Sequence, residues 1–234
     1  MADWTHGGSC VMIVAMPHAV FITGATGYLG RPLAEELIRH GHQVKALVRP
    51  GSESKAPEGA EIVSGDPLER ASFQDKIAPC DTLVQLVGVA HPGPGKKQQF
   101  LSIDLVSVQQ SVAAARDAGV RHFVYLSVAH PAPVMKDYIA VRQEGERLIR
   151  EAGFAATILR PWYVLGPGHW WPVLFVPGYW IAQLVPAWRD GARRLGLVTF
   201  SQMLRALVDA VEHPPVDGEQ RIRGVPEIRA TPSG

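Results

Sequence analysis

AVFITGATGYLGRPLAEELIRHG, Ala19 to Gly41, constrains the fold more than any other stretch of this 234-residue chain. It opens as a short apolar run of the kind that makes a buried strand. A turn with glycines at 24, 27 and 30 follows. A helical pattern then runs from Pro32, which suits a first turn, to Gly41, which suits a stop. Glycines at this spacing let a backbone turn sharply and approach an anion closely. The unpaired N–H groups at the start of the helix then face that anion. A glycine triplet alone is a weak signal. It gains weight from a strand before it and a helix after it.

The alternation continues. HQVKALVRP, AEIVSGD, TLVQLVGVA, VRHFVYLSVA and FAATILRP read as five further strands. LERASFQDKI reads as a short amphipathic helix, and FLSIDLVSVQQSVAAARDAG and DYIAVRQEGERLIREAG as longer ones. Strands alternating with helices predict an α/β, doubly wound parallel sheet covered on both faces. In such sheets ligands bind beyond the carboxyl ends of the strands. A late amphipathic helix, TFSQMLRALVDAVEHP, and a closing strand, EQRIRGVPEIR, complete the chain. The expected organisation is an extension over 1–16, a core over 17–161 and a small C-terminal lobe over 162–234. The first sixteen residues carry Asp3 and no basic run, and so do not read as a secretory signal.

Apolar residues make up 47% and charged residues 19%, enough for a sizeable core. A net charge of +1 offers no general attraction to nucleic acid. Cys10 and Cys80 have neither metal-ligand nor disulfide-framework spacing, which points to a reducing, cytoplasmic setting and to no metal.

The end of the second strand bears on which dinucleotide would bind. An acidic side chain there would accept from ribose hydroxyls and favour NAD. This chain has Arg49, with Ser52 and Lys55 following. A cation with a nearby hydroxyl suits a 2′-phosphate, hence NADP rather than NAD. The plainer alternative is a solvated charge at a strand end. Arg31 sits in a helix first turn, where the helix dipole disfavours a cation unless an anion is bound.

TGATGYLG, Thr23 to Gly30, resembles the glycine turn of the short-chain dehydrogenase/reductase superfamily. The likeness is greatest to its atypical branch of NmrA-like sensors, isoflavone-reductase-like enzymes and the accessory Rossmann subunit of respiratory complex I. The resemblance implies a seven-stranded Rossmann sheet and NADP or NAD held by Gly24, Thr26, Gly27, Tyr28, Leu29 and Gly30. It also implies Val87 and Gly88 at the cofactor and Asp66 near the adenine amino group. Asp66 reads equally well as a cap for the helix that follows it.

The same resemblance implies a catalytic trio. A tyrosine protonates the substrate oxygen, a lysine four residues on supports it and binds ribose, and a serine after the fifth strand holds the carbonyl. The matching positions are Tyr138, Arg142 and Ser127. Two of the family's features are altered. Arginine replaces the lysine, keeping the charge and losing the transferable proton. Asp104 stands where the family often has asparagine. Tyr138 and Arg142 share a helix face. The phenol could therefore be a proton donor beside a cation, or an aromatic packed on one. Two readings stay open: a tyrosine-based NADP-dependent oxidoreductase for an apolar carbonyl or quinone-like compound, and a weak or inactive NADP-binding sensor or scaffold.

Two further features bear on the substrate. The fourth and fifth strands both end Val-Ala-His-Pro, placing His91 and His130 at one sheet edge as pocket walls or proton carriers. The stretch Trp162–Trp188 holds five of the six tryptophans and no Asp, Glu, Lys or Arg. Prolines interrupt it, so it does not read as a membrane span. It is expected to be a lobe core, a greasy pocket for an apolar small molecule, or a peripheral membrane contact.

Overall fold

The structure is a computed structural model, and it describes residues 17–90, 92–167, 191 and 194–232. Seven strands form one parallel sheet: β1 (Ala19–Thr23), β2 (Gln43–Val48), β3 (Glu61–Ser64), β4 (Thr82–Gln85), β5 (His122–Leu126), β6 (Ala155–Leu159) and β9 (Gln220–Arg223). Their order is β3-β2-β1-β4-β5-β6-β9. Chain order reverses between β1 and β4, where Thr23 lies opposite Gln85. That reversal opens a crevice at the carboxyl edge.

Each strand sends alternate side chains to opposite faces. Val20 and Ile22 join one core cluster, with Leu33 and Leu37 of α1 (Gly30–Arg39). Met203 and Leu207 of α5 (Phe200–Glu212) lie in the same cluster. Phe21 joins the other, with Val108 and Ala115 of α3 (Val106–Asp117) and Ile149 of α4 (Lys136–Glu151). A sheet covered on both faces needs such continuous apolar strands. The doubly wound expectation is met.

Several boundaries differ from expectation. LERASFQDKI forms two 3₁₀ turns, Arg70–Ser72 and Gln74–Lys76, and no α-helix. Ser72 Oγ donates to the Glu69 carbonyl and accepts from the Asp66 N–H, drawing backbone groups away from a helical ladder. The fourth strand stops at Gln85, and residues 86–90 form a loop. A single turn, α2 (Lys97–Gln99), leads through a π-helical stretch, Phe100–Leu105, into α3. The closing strand ends at Arg223, and α6 (Val225–Ala230) follows, with proline in its first turn. A separate parallel pair joins β7 (Tyr163–Leu165) to β8 (Leu197–Thr199). The extension 1–16, His91 and most of the tryptophan-rich stretch lie outside the described residues.

Candidate functional site

β1 delivers the chain to the crevice, and the glycine turn forms there. The Gly27 N–H donates to the Gly24 carbonyl at 3.0 Å, closing the turn. Gly24 has φ +76°, a conformation side chains rarely adopt. A Cβ on Gly24 would lie 3.0 Å from the Leu86 carbonyl carbon. The loops after β1 and β4 therefore touch. A Cβ on Gly30 would lie 2.1 Å from the Gly24 carbonyl oxygen, so glycine alone lets α1 sit this close to the turn.

Gly27 differs from both. Its side is exposed, and an added Cβ would meet only the Gly24 carbonyl oxygen, at 3.1 Å. Behind it α1 starts with no side-chain cap and no acidic residue in its first turn. The orphan N–H groups of an uncapped helix start are a ready anion site. A pyrophosphate fits this cradle. Thr26 is half-buried in the turn, and Leu29 is buried in the core beneath it. The Tyr28 ring packs edge-on against Phe200, with centroids 5.0 Å apart. A Cβ on Gly166 would fall 2.0 Å from the Tyr28 hydroxyl, so the turn also touches the segment after β7.

Arg49 follows β2 and is exposed, with Ser52 half-buried and Lys55 exposed beyond it. The Ser52 N–H donates to the Arg49 carbonyl at 2.9 Å and turns the loop back. Arg31 donates to Glu35 at 2.8 Å along its own helix. Asp66 is half-buried, and its Oδ1 accepts from the Leu68 N–H at 2.9 Å. It caps the turn after β3.

The loop after β4 carries Val87 and Gly88. The Val87 N–H donates to Gln85 Oε1 at 3.1 Å, and the Val89 N–H to Asp104 Oδ2 at 3.0 Å. Gly88 is exposed on one side. On the other a Cβ would meet Arg142 Nη2 at 2.2 Å.

Helix α4 stacks Tyr138, Arg142 and Glu146 on one face, each four residues from the next. Arg142 is 5% exposed. It donates to Asp104 Oδ1 at 2.6 Å and to the Leu126 carbonyl at 3.0 Å. Its guanidinium carbon lies 5.1 Å from the centre of the Tyr138 ring, which also packs on Phe100 at 5.0 Å. The aromatic-on-cation arrangement is thus present. Burial pushes the Asp104 carboxyl up, against Arg142 and the Val89 N–H, which favour its anion. Arginine holds its proton, so the Asp104 carboxyl always faces a cation. The two features that depart from the family pattern are each other's partners.

Ser127 lies at the carboxyl end of β5, 4% exposed. Its hydroxyl donates to Glu146 Oε1 at 2.5 Å. Arg160, at the end of β6, donates through Nε to Glu146 Oε1 at 2.9 Å and through Nη2 to Oε2. His130 Nε2 stands 3.6 Å from the same Oε1. Burial first, then Arg160, holds the His130 imidazole below its usual range. Ser127, His130 and Glu146 are therefore gathered at one strand edge, with Tyr138 and Arg142 further along the same helix. Glu146 and Arg160 were not singled out from the sequence. The four-residue step from Arg142 to Glu146 was the available signal.

No helix among the described residues is long and apolar enough to cross a membrane. No group of three His, Cys, Asp or Glu among them could hold a metal ion.

Residues 24–166 match the family model described as NAD(P)H-binding. A ketoreductase of Stigmatella aurantiaca, named for a farnesylated dihydroquinoline oxide, is 29% identical over 206 residues. That covers 75% of this chain and 58% of the relative. A ceramide reductase of Caulobacter vibrioides is 32% identical over 152 residues, 64% of this chain and 47% of the relative. The chain thus spans about half the length of these relatives. A short-chain dehydrogenase/reductase superfamily protein from Agrobacterium tumefaciens, solved with bound NAD, is 18% identical and shares the fold. Its TM-score is 0.65, over 88% of this chain and 77% of that one. With the glycine turn at the β1/β4 reversal and more than half the chain matched, the protein belongs to the NAD(P)H-binding family.

Proposed function

We propose that the chain is an NADP-dependent oxidoreductase of the atypical short-chain type, acting on an apolar carbonyl or quinone-like compound. The observation that carries this is the glycine turn, open at Gly27 and backed by an uncapped helix start, with Arg49 rather than an acid ending β2. A cation there suits the 2′-phosphate of NADP. The apolar substrate draws on the relatives, two of which are named for a farnesylated ketone and a ceramide.

The dinucleotide, when bound, supplies the hydride. Tyr138 donates the proton to the substrate oxygen, and Ser127 holds that oxygen. For Ser127 to donate to a carbonyl, its hydroxyl must turn from Glu146. Gly27 keeps a side chain out of the pyrophosphate path, while Gly24 makes the turn and Gly30 lets α1 approach it closely.

A second reading, an NADP-binding sensor or scaffold with weak or no turnover, is favoured by two contacts. The Ser127 proton is committed to Glu146, and Arg142 is committed to Asp104. Arginine cannot relay a proton as the family's lysine does. The deciding experiment is NADPH oxidation against menadione and a panel of apolar ketones, with Tyr138→Phe as control. The enzyme reading expects turnover in the unmutated protein, its loss in Tyr138→Phe, and equal NADPH affinity in both. Binding without turnover supports the sensor. Turnover in Tyr138→Phe as fast as in the unmutated protein removes Tyr138 from the chemistry.

A further inference from the structure

We propose that Asp104 and Arg142 are positioning residues for the dinucleotide, acting through the loop 86–90 rather than by touching it; this rests on the cofactor reading of the crevice. The loop is a thin wall. Leu86 and Val87 press on Gly24 of the glycine turn. Gly88 is exposed on its outer side and backed by the Arg142 guanidinium on its inner side. What fixes Arg142 therefore fixes the wall.

The fixing is by a closed circuit of hydrogen bonds. Thr23, the last residue of β1, donates to Gln85 Oε1, which also accepts from the Val87 N–H. Gln85 Nε2 donates to Ser107 Oγ at 2.9 Å, and Ser107 Oγ donates to the Asp104 carbonyl at 3.0 Å. Asp104 then spends one carboxylate oxygen on the Val89 N–H and the other on Arg142. Arg142 closes back onto the sheet at the Leu126 carbonyl. The π-helical stretch carries Asp104 into this circuit, as such irregular turns often carry functional side chains.

Charge makes the circuit rigid. A guanidinium this buried needs a carboxylate partner in one geometry. Asparagine at 104 would leave the cation unbalanced. Size makes it specific, because Arg142 Nη2 occupies the space that any Cβ at 88 would fill. The two departures from the family pattern are then one device, in which a lysine's direct contact is exchanged for an arginine that sets the wall.

The test is NADPH titration by calorimetry on the full chain, beside thermal unfolding without cofactor. Gly88→Ala should weaken NADPH binding by about tenfold or more, since a Cβ there overpacks against the Arg142 guanidinium and displaces the wall. Arg142→Lys in that background should recover most of the loss, because an ammonium keeps the charge and vacates the Nη2 position. Asp104→Asn alone should weaken binding, although its side chain is buried away from the crevice. A direct contact from Arg142 to the dinucleotide predicts the opposite sign: Arg142→Lys would deepen the Gly88→Ala loss. That result overturns the proposal. So does an Asp104→Asn protein that melts earlier yet binds NADPH as tightly as the unmutated one. An unmutated protein that binds neither NADPH nor NADH overturns the cofactor reading itself, and this proposal with it.

Discussion

Gly27 and Gly30 are three residues apart in one turn, and the structure separates their jobs. At Gly30 an added Cβ would stand 2.1 Å from the Gly24 carbonyl oxygen and 2.9 Å from the Ala25 Cα. A carbon–oxygen contact needs about 3.3 Å, so the backbone must open by about 1 Å. Overpacking of that kind costs about 1–3 kcal/mol. For a chain of this size the midpoint of thermal unfolding should fall by roughly 2–12 °C in Gly30→Ala, with no cofactor present. At Gly27 the Cβ meets only one atom, at 3.1 Å, and otherwise faces open space. Gly27→Ala should shift the midpoint by no more than about 2 °C, while Gly27→Val should abolish NADPH binding in a folded protein. The assays are differential scanning fluorimetry without ligand and calorimetric titration with NADPH. If Gly30→Ala melts where the unmutated protein melts, the close approach of α1 to the turn is not what the sequence requires glycine for. If Gly27→Val still binds NADPH normally, the dinucleotide lies elsewhere.

Arg49→Ala should erase most of a preference for NADPH over NADH, worth about 1–3 kcal/mol for a charge-assisted contact; equal affinities in the unmutated protein would remove the basis for that role. His122 lies between Thr82 and Thr157, and its value is pushed down to about 4, chiefly by burial, then by His18, with Asp81 opposing and Arg221 adding. The folded value lies below the ordinary 6.5, so the unfolded chain takes up the proton first as pH falls. Stability attributable to His122 is therefore present above about pH 6.5 and is lost towards pH 4, by roughly 3 kcal/mol; His122→Gln should flatten that part of a denaturant-midpoint profile, and an unchanged slope would refute it. Glu146→Ala strips Arg160 and Ser127 of a shared buried partner and should cost about 3–5 kcal/mol in urea unfolding. A loss under about 1 kcal/mol would mean the pair is solvated rather than buried.

The parts of the fold that were legible in the sequence are those set by local pattern. Strands with both faces covered are apolar nearly throughout, and glycines close the helices that follow. The parts that were not legible depend on who the partner is. Phe73 and Ile77 are both buried and four apart, which imitates a helix. Ser72 decides otherwise by bonding to backbone at 66 and 69. TLVQLVGVA continues apolar past Gln85, and the Leu86 N–H still donates to the Thr23 carbonyl, but the Val87 and Val89 N–H groups are taken by side chains of Gln85 and Asp104 and leave the ladder. The pair β7–β8 joins segments 34 residues apart in register, Tyr163 to Leu197, and no local signal announces it.

The site divides in the same way. The glycine turn was legible because its spacing is dictated by the turn's own backbone. Arg142 and Asp104 were each recognisable as unusual, but their pairing spans 38 residues and exists only once α4 lies across the π-helical stretch. Tyr138, Arg142 and Glu146 show why a helix pattern can mislead. At four-residue steps they describe one face of α4, and two charges on one face ordinarily mean solvent. Here that face is turned inward, with Arg142 and Glu146 each 5% exposed. Burying either charge alone would cost several kcal/mol. Asp104 offsets the first and Arg160 the second, each reaching in from another element. The charges alternate minus, plus, minus, plus, from buried Asp104, Arg142 and Glu146 to half-buried Arg160. A substitution that removes the charge of any one of the four leaves its partner unbalanced, so Arg142 is tied to Asp104 by the same electrostatics that tie Glu146 to Arg160.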